Sequence, residues 1–123
     1  MTIPTPNSKI VFFGTPQVSA DILQNLFDAG YEISAVVTNP DAPVGRKHII
    51  TPSPVKVLAE KLGLQVFQPI KIDQEFIEKL MANDQRLMAV VVAYGKILPQ
   101  SLIDSFPIGL LNIHYSLLPK YRG

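Results

Sequence analysis

The sequence predicts an α/β fold, a parallel sheet with helices on both faces. Three observations predict it. From Lys9 onward, short apolar runs alternate with segments of helical spacing, the pattern of strand–helix–strand units. The run LMAVVVA, residues 87–93, is apolar throughout, as a strand buried on both faces must be. Helix punctuation falls between the runs: Thr15-Pro16 and Ser53-Pro54 open segments that Gly30 and Gly63 close.

The elements follow in order. Residues 1–8 carry Pro4 and Pro6 and no periodicity, and read as a flexible tail ahead of one unit over 9–123. KIVFF (9–13) is the first strand. Thr15 is the expected N-cap of the first helix and Pro16 its first residue, where a missing N–H costs nothing. Val18, Ile22, Leu26 and Ala29 mark the inward face of that helix. ISAVVT (33–38) is the second strand, and NPDAPVGRKHIITP (39–52) is a polar loop rich in Pro and Gly. A second helix starts at Ser53-Pro54, with Val55, Leu58, Ala59 and Leu62 at helical spacing. LQVF (64–67) is a short third strand. Asp73 caps a third helix that turns Phe76, Ile77, Leu80 and Met81 inward. The fourth strand, 87–93, is broken by Ala93-Tyr94-Gly95. A short helix near 100–105 leads into GLLNIH (109–114), the fifth strand.

Right-handed crossovers then favour a Rossmann-like strand order, 3-2-1-4-5. In such sheets ligands lie beyond the carboxyl ends of the strands where the order reverses, here between the first and fourth strands. Gly14-Thr15, Ala93-Tyr94-Gly95 and the stretch 112–119 are expected to meet there.

Composition narrows the function classes. The chain has no cysteine, which removes disulfides, thiolate zinc sites and a cysteine nucleophile. No apolar run approaches the roughly 20 residues of a membrane span, and the N-terminal MTIPTPNSK has no apolar signal core. The cytoplasm is the expected location, with no membrane partner. Eleven basic residues against ten acidic ones leave a net charge of +1, so nucleic-acid contact by these residues alone should be weak and salt-sensitive. The local basic clusters are Arg46-Lys47-His48 and Lys120 with Arg122. No His/Asp/Glu group has metal-ligand spacing, and no metal is expected. A dinucleotide fingerprint starting at Gly14 would need glycines where Pro16 and Ser19 stand, and no GK[ST] of a P-loop follows.

The candidate chemistry is at the end of the fifth strand. Side chains alternate along a strand, so Asn112 and His114 share one face, about 6–7 Å apart by the rise per residue. An amide donor and an imidazole on one side can grip one oxygen. That suits an acyl transfer in which a carbonyl becomes an oxyanion, and an imidazole can also carry a proton near neutral pH. Taken alone, such a pair also suits a structural role. The Ser-Leu-Leu-Pro that follows adds weight to the functional reading.

GTP (14–16), PDAPVGR (40–46), TPSPVK (51–56), VVAYGKILP (91–99) and NIHYSLLPKYRG (112–123) occur in that order. Together they resemble the N-terminal, formyl-transferring domain of the methionyl-tRNA formyltransferase family, over nearly the whole chain from Lys9. N-x-H-x-SLLP marks the wider group of enzymes that use 10-formyltetrahydrofolate, while the segments at 40–46 and 51–56 point more narrowly to the tRNA enzymes. The resemblance implies that Asn112 and His114 are catalytic. It implies that Ser116, Leu117, Leu118 and Pro119 form the tetrahydrofolate-binding loop, that Tyr94 and Gly95 flank the pterin, and that Arg46 contacts the acceptor end of tRNA. The implied formyl donor is 10-formyltetrahydrofolate, the implied partners are reduced folate and initiator methionyl-tRNA, and the full-length protein is implied to be a monomer.

The resemblance also implies a third catalytic residue, an aspartate beyond the SLLP loop, and a C-terminal barrel domain; neither is among these 123 residues. Residues 1–123 alone are therefore expected to be catalytically incomplete, to be loose from about Tyr115, and to pair with a second copy through the exposed edge of the fifth strand. Two alternatives are an amino-sugar or glycinamide-nucleotide formyltransferase, and a non-catalytic folate-binding module.

Overall fold

The computed structural model describes residues 8–82 and 86–114. Strands β1 (Lys9–Gly14), β2 (Glu32–Val37), β5 (Val66–Phe67), β6 (Leu87–Val92) and β7 (Gly109–Asn112) form one sheet in the order β5-β2-β1-β6-β7. Every pairing in it is parallel. This is the expected order 3-2-1-4-5. Helices α1 (Gln17–Asp28), α2 (Pro54–Lys61), α3 (Gln74–Met81) and α4 (Gln100–Ile103) cover its two faces.

Alternation along β1 and β6 divides the core in two. Ile10, Phe12, Val90 and Val92 pack with Ala20 and Leu23 of α1 and Val55 and Ala59 of α2. Val11, Phe13, Ala89 and Val91 pack on the other face with Ile77 and Leu80 of α3 and Leu102 of α4. All of β6 is buried, which explains its unbroken apolar run. Full burial of a side chain of the Phe12 or Phe13 size stabilises by about 1.5–3 kcal/mol, so β1 alone contributes two such anchors, one to each face of the sheet.

Several expectations change. The fully buried residues of α1 are Ser19, Ala20 and Leu23; of the expected face, Ile22 and Leu26 are half-buried and pack against the same core, Val18 is half-buried, and Ala29 is exposed. The reason is close approach. The Ser19 hydroxyl donates to the Val92 carbonyl, and a Cβ on Gly14 would sit 2.7 Å from Ser19 Cβ and 2.9 Å from the Val92 oxygen. Small residues let the helix sit on the β1–β6 junction. Pro16, not Thr15, is the N-cap of α1; its ring has no acceptor to offer a side-chain bond, and the Thr15 hydroxyl donates instead to the Tyr94 carbonyl.

The expected polar loop 39–52 contains a small antiparallel hairpin, β3 (Ala42–Val44) with β4 (Ile49–Thr51). Both third and fifth strands are shorter than expected, two and four residues long. The caps at Ser53 and Asp73 form as predicted: their side chains accept from Lys56 N at 3.0 Å and Phe76 N at 2.9 Å. Residues 1–7 of the expected tail lie outside the described residues, and Ser8, its last member, is buried.

Candidate active site

Asn112 is the last residue of β7, in register with Val91 of β6. The ladder runs one step further, with Ile113 N donating to the Val91 carbonyl at 2.8 Å. Ile113 packs against the α1/α2 core, while Asn112 and His114 are exposed. Asn112 and His114 both line a cavity of about 260 Å³ at the carboxyl ends of β6 and β7, with Val91, Ala93, Tyr94, Lys96 and Ile113. The cavity thus lies one strand over from the β1–β6 position that topology suggested. Its size is just under the roughly 300 Å³ at which small-molecule sites begin. A larger groove of about 440 Å³ between α1 and α2 is lined by Gln17, Asp21, Pro52, Val57 and Lys61, among others, and takes no residue from a strand end. The chemistry therefore favours the smaller cavity.

The β6 side of the cavity is held firmly. Ala93 has φ 51°, a left-handed backbone rare outside glycine, which ends β6 abruptly. The Tyr94 carbonyl then accepts two hydrogen bonds, from the Thr15 hydroxyl at 2.8 Å and from Asn39 Nδ2 at 2.9 Å. Asn39 N also approaches the Thr15 hydroxyl oxygen at 3.4 Å. Gly95 has φ 95°, and a Cβ there would come within 2.9 Å of Asn39 Nδ2, so glycine allows the amide its grip. The Lys96 ammonium donates to the Pro69 and Ile70 carbonyls at 3.1 and 2.8 Å and is thereby held beside the cavity.

The Tyr94 ring points into the core, edge-on to Phe13 at 5.6 Å and 83°. It is 2% exposed, its hydroxyl has no hydrogen-bond partner among the described residues, and burial pushes the phenol pKa up to about 12. Arg46 is exposed in the turn between β3 and β4 and does not line the cavity, and neither does the exposed His48. The structure therefore brings Asn112, His114 and Tyr94 together, with Gly95 next in the chain, and leaves Arg46 apart. Ser116, Leu117, Leu118 and Pro119 lie outside the described residues. Among the described residues no group of three or more His, Cys, Asp or Glu could hold a metal ion.

The expected meeting of Gly14-Thr15 with Ala93-Tyr94-Gly95 is seen in the Thr15–Tyr94 hydrogen bond. Sequence reasoning missed Asn39 and Lys96; Asn39 acts across 55 positions of sequence, which no local pattern reveals.

Residues 8–123 match the family described as formyl transferase. This chain belongs to that family. Its five-stranded parallel sheet flanked by helices is consistent with the Rossmann-like fold of a formyl transferase domain. Among curated relatives, the methionyl-tRNA formyltransferase of Lysinibacillus sphaericus is 48% identical over 117 residues, and that of Halalkalibacterium halodurans 52% over 116. The one from Macrococcus caseolyticus is 51% identical over 118 residues. Each alignment covers 94% of this chain but only 36–37% of the relative, so the chain spans a little over a third of their length.

Proposed function

We propose that this chain supplies the donor-binding and carbonyl-activating part of formyl transfer from 10-formyltetrahydrofolate to the amino group of initiator methionyl-tRNA. The observation that carries this reading is the cavity where Asn112 and His114 face the Ala93-Tyr94 turn. The names of the relatives support the tRNA acceptor over an amino sugar or a glycinamide nucleotide.

The proposed chemistry is a simple acyl transfer. The methionyl amine attacks the formyl carbon, and the carbonyl oxygen takes up negative charge. The Asn112 amide and a His114 N–H stabilise that charge. The C–N bond to the folate then breaks, the formyl carbonyl re-forms on the methionyl nitrogen, and the proton lost by the amine passes to the departing folate nitrogen. His114 is the proposed proton carrier. Tyr94 and Gly95 form the wall against the pterin, Ser116, Leu117, Leu118 and Pro119 the loop over the folate, and Arg46 a contact to the acceptor end of tRNA from the hairpin. The unit is residues 9–123, and its proposed location is the cytoplasm. No described helix is long and apolar enough to cross a membrane.

Residues 1–123 alone lack the aspartate that the family resemblance implies, and we propose that alone they turn over little and pair through the outer edge of β7. The full-length protein is proposed to be an active monomer. A single-turnover assay of the natural full-length protein with 10-formyltetrahydrofolate and initiator methionyl-tRNA is expected to yield formyl-methionyl-tRNA. Formylation of an amino sugar or a glycinamide nucleotide in its place, or folate binding without any product, would overturn the reading.

A further inference from the structure

We infer that Asn39 is a positioning residue for the formyl-donor site, acting through the Tyr94 carbonyl. The inference deepens the proposed function and rests on it. A carbonyl oxygen can only accept, so the amide of Asn39 must turn its nitrogen to Tyr94 and its oxygen away. That oxygen, Oδ1, is buried with no partner among the described residues. An unmet buried acceptor is destabilising. The only side-chain hydrogen bond of the Asn39 amide among the described residues is the one to the cavity wall. What the arrangement gains is a second donor on one carbonyl of the cavity wall.

The wall needs that donor. Ala93 enters the turn with a strained left-handed backbone, and Gly95 leaves it with φ 95°. Between them the turn is fixed to β1 and β2 through Thr15 and Asn39. Asn39 is itself fixed from behind: Gln68 Nε2 donates to the Asn39 carbonyl at 3.2 Å and to Asp41 Oδ1 at 2.8 Å, and Lys56 donates to both Asp41 oxygens at 3.2 Å. Removing the Asn39 donor leaves the Tyr94–Gly95 peptide held by the Thr15 hydroxyl alone and so loosens the surface that meets the donor. The reacting groups Asn112 and His114 sit on a different strand and stay where they are.

The test uses the natural full-length enzyme. Asn39→Ala is expected to raise the KM for 10-formyltetrahydrofolate about three- to tenfold, the size of one lost hydrogen bond, with kcat at saturating donor and the KM for methionyl-tRNA within twofold. Asn39→Asp keeps the shape but sets a carboxylate against the Tyr94 oxygen, and should raise the donor KM further than alanine does. Gly95→Ala should do more harm in the wild-type background than in Asn39→Ala, because its new Cβ no longer meets an amide. If Asn39→Ala does not fold, Thr15→Val removes the other donor to the same carbonyl and is expected to give the same donor-specific rise. An unchanged donor KM in whichever of these variants folds, with only the melting temperature lowered, would reduce Asn39 to a structural residue and overturn the inference. A wild-type enzyme without formyl transfer would instead defeat the proposed function beneath it.

Discussion

The two strands that end at the cavity are built differently. β6 is buried along its whole length, and the turn after it is tied to β1 and β2 by two donors on the Tyr94 carbonyl. β7 is half-buried, and it ends in Asn112 and, two residues on, His114, both exposed and without a side-chain hydrogen bond among the described residues. The difference separates two tasks. The wall that fixes a ligand is made of groups whose bonds are already formed, so ordering it costs nothing at binding. The groups proposed to act on the carbonyl have their bonds open, so the substrate can take them. Stability should therefore be sensitive on the β6 side, and rate on the β7 side.

The largest effect tests the β7 side. Asn112→Ala or His114→Ala in the full-length enzyme should lower kcat by about 10²- to 10³-fold, the loss found when one oxyanion donor is removed. Both side chains are exposed, so the denaturation midpoint should stay close to wild type. A large fall in stability in either variant would show that β7 carries structural weight and would blur the contrast.

The next effect tests the β6 side. Gly14→Ala pushes a methyl against Ser19 Cβ at 2.7 Å and the Val92 oxygen at 2.9 Å, and neither a helix nor a strand backbone can yield cheaply. Urea unfolding should register a loss of about 1–3 kcal/mol, the usual cost of overpacking. A neutral result would mean that α1 does not sit as close to the β1–β6 junction as the structure has it.

What could be read from the sequence follows the range of each interaction. The sheet order was legible because apolar runs and crossover handedness leave few orders, of which the Rossmann-like one is favoured. The shared cavity of Asn112 and His114 has the same source, since alternation along GLLNIH carries over to a strand that pairs parallel with β6. Ile22 and Leu26 of α1 pack against the core as their spacing predicts, but its most buried face was not legible, because contact with the sheet selected Ser19 and Ala20 for their size and not for hydrophobicity. The hairpin was hidden because its strands are three residues long, one contains Pro43, and every residue from 41 to 50 is exposed, so no inward–outward alternation exists to be seen. Thr15 was read as a cap by its neighbours, yet its hydroxyl serves Tyr94. Such long-range polar contacts have no local signature.

Tyr94 offers a smaller and cleaner probe of the β6 side. Its ring packs in the core, while its hydroxyl has no partner among the described residues. Tyr94→Phe keeps the packing and removes an unmet polar group, so stability should stay level or rise by up to about 1 kcal/mol. The backbone carbonyl is unchanged, and the formyl-donor KM should not move. The phenol pKa is raised from 10.0 to about 12 in the folded protein, so the unfolded chain loses its proton first. Wild-type stability is then whole below pH 10 and falls between pH 10 and about 12, and Tyr94→Phe should lack that part of the fall. Equal alkaline slopes for both proteins would mean that the hydroxyl reaches water.

The smallest effect lies where the fixed wall meets the exposed hairpin. Asp41 stands at the root of β3, and its pKa is held below 3.8, first by the hydrogen bond from Gln68 and then by those from Lys56. A carboxyl with a lowered folded pKa contributes stability above its unfolded value of 3.8, and that contribution goes as pH falls through the lower folded value. The group is exposed, so the contribution is small and should shrink further in salt. Its protonation should be felt locally, as faster hydrogen exchange in the Ala42–Thr51 and Val44–Ile49 pairs, while the amides of β1 and β6 keep their protection. Asp41→Asn retains an acceptor for Gln68 but has no charge to lose, so its hairpin exchange should not change across this range beyond the intrinsic dependence on pH. If acid loosened β6 together with the hairpin, the wall and the hairpin would be one cooperative unit, and the division between a fixed side and an open side would have to be drawn elsewhere.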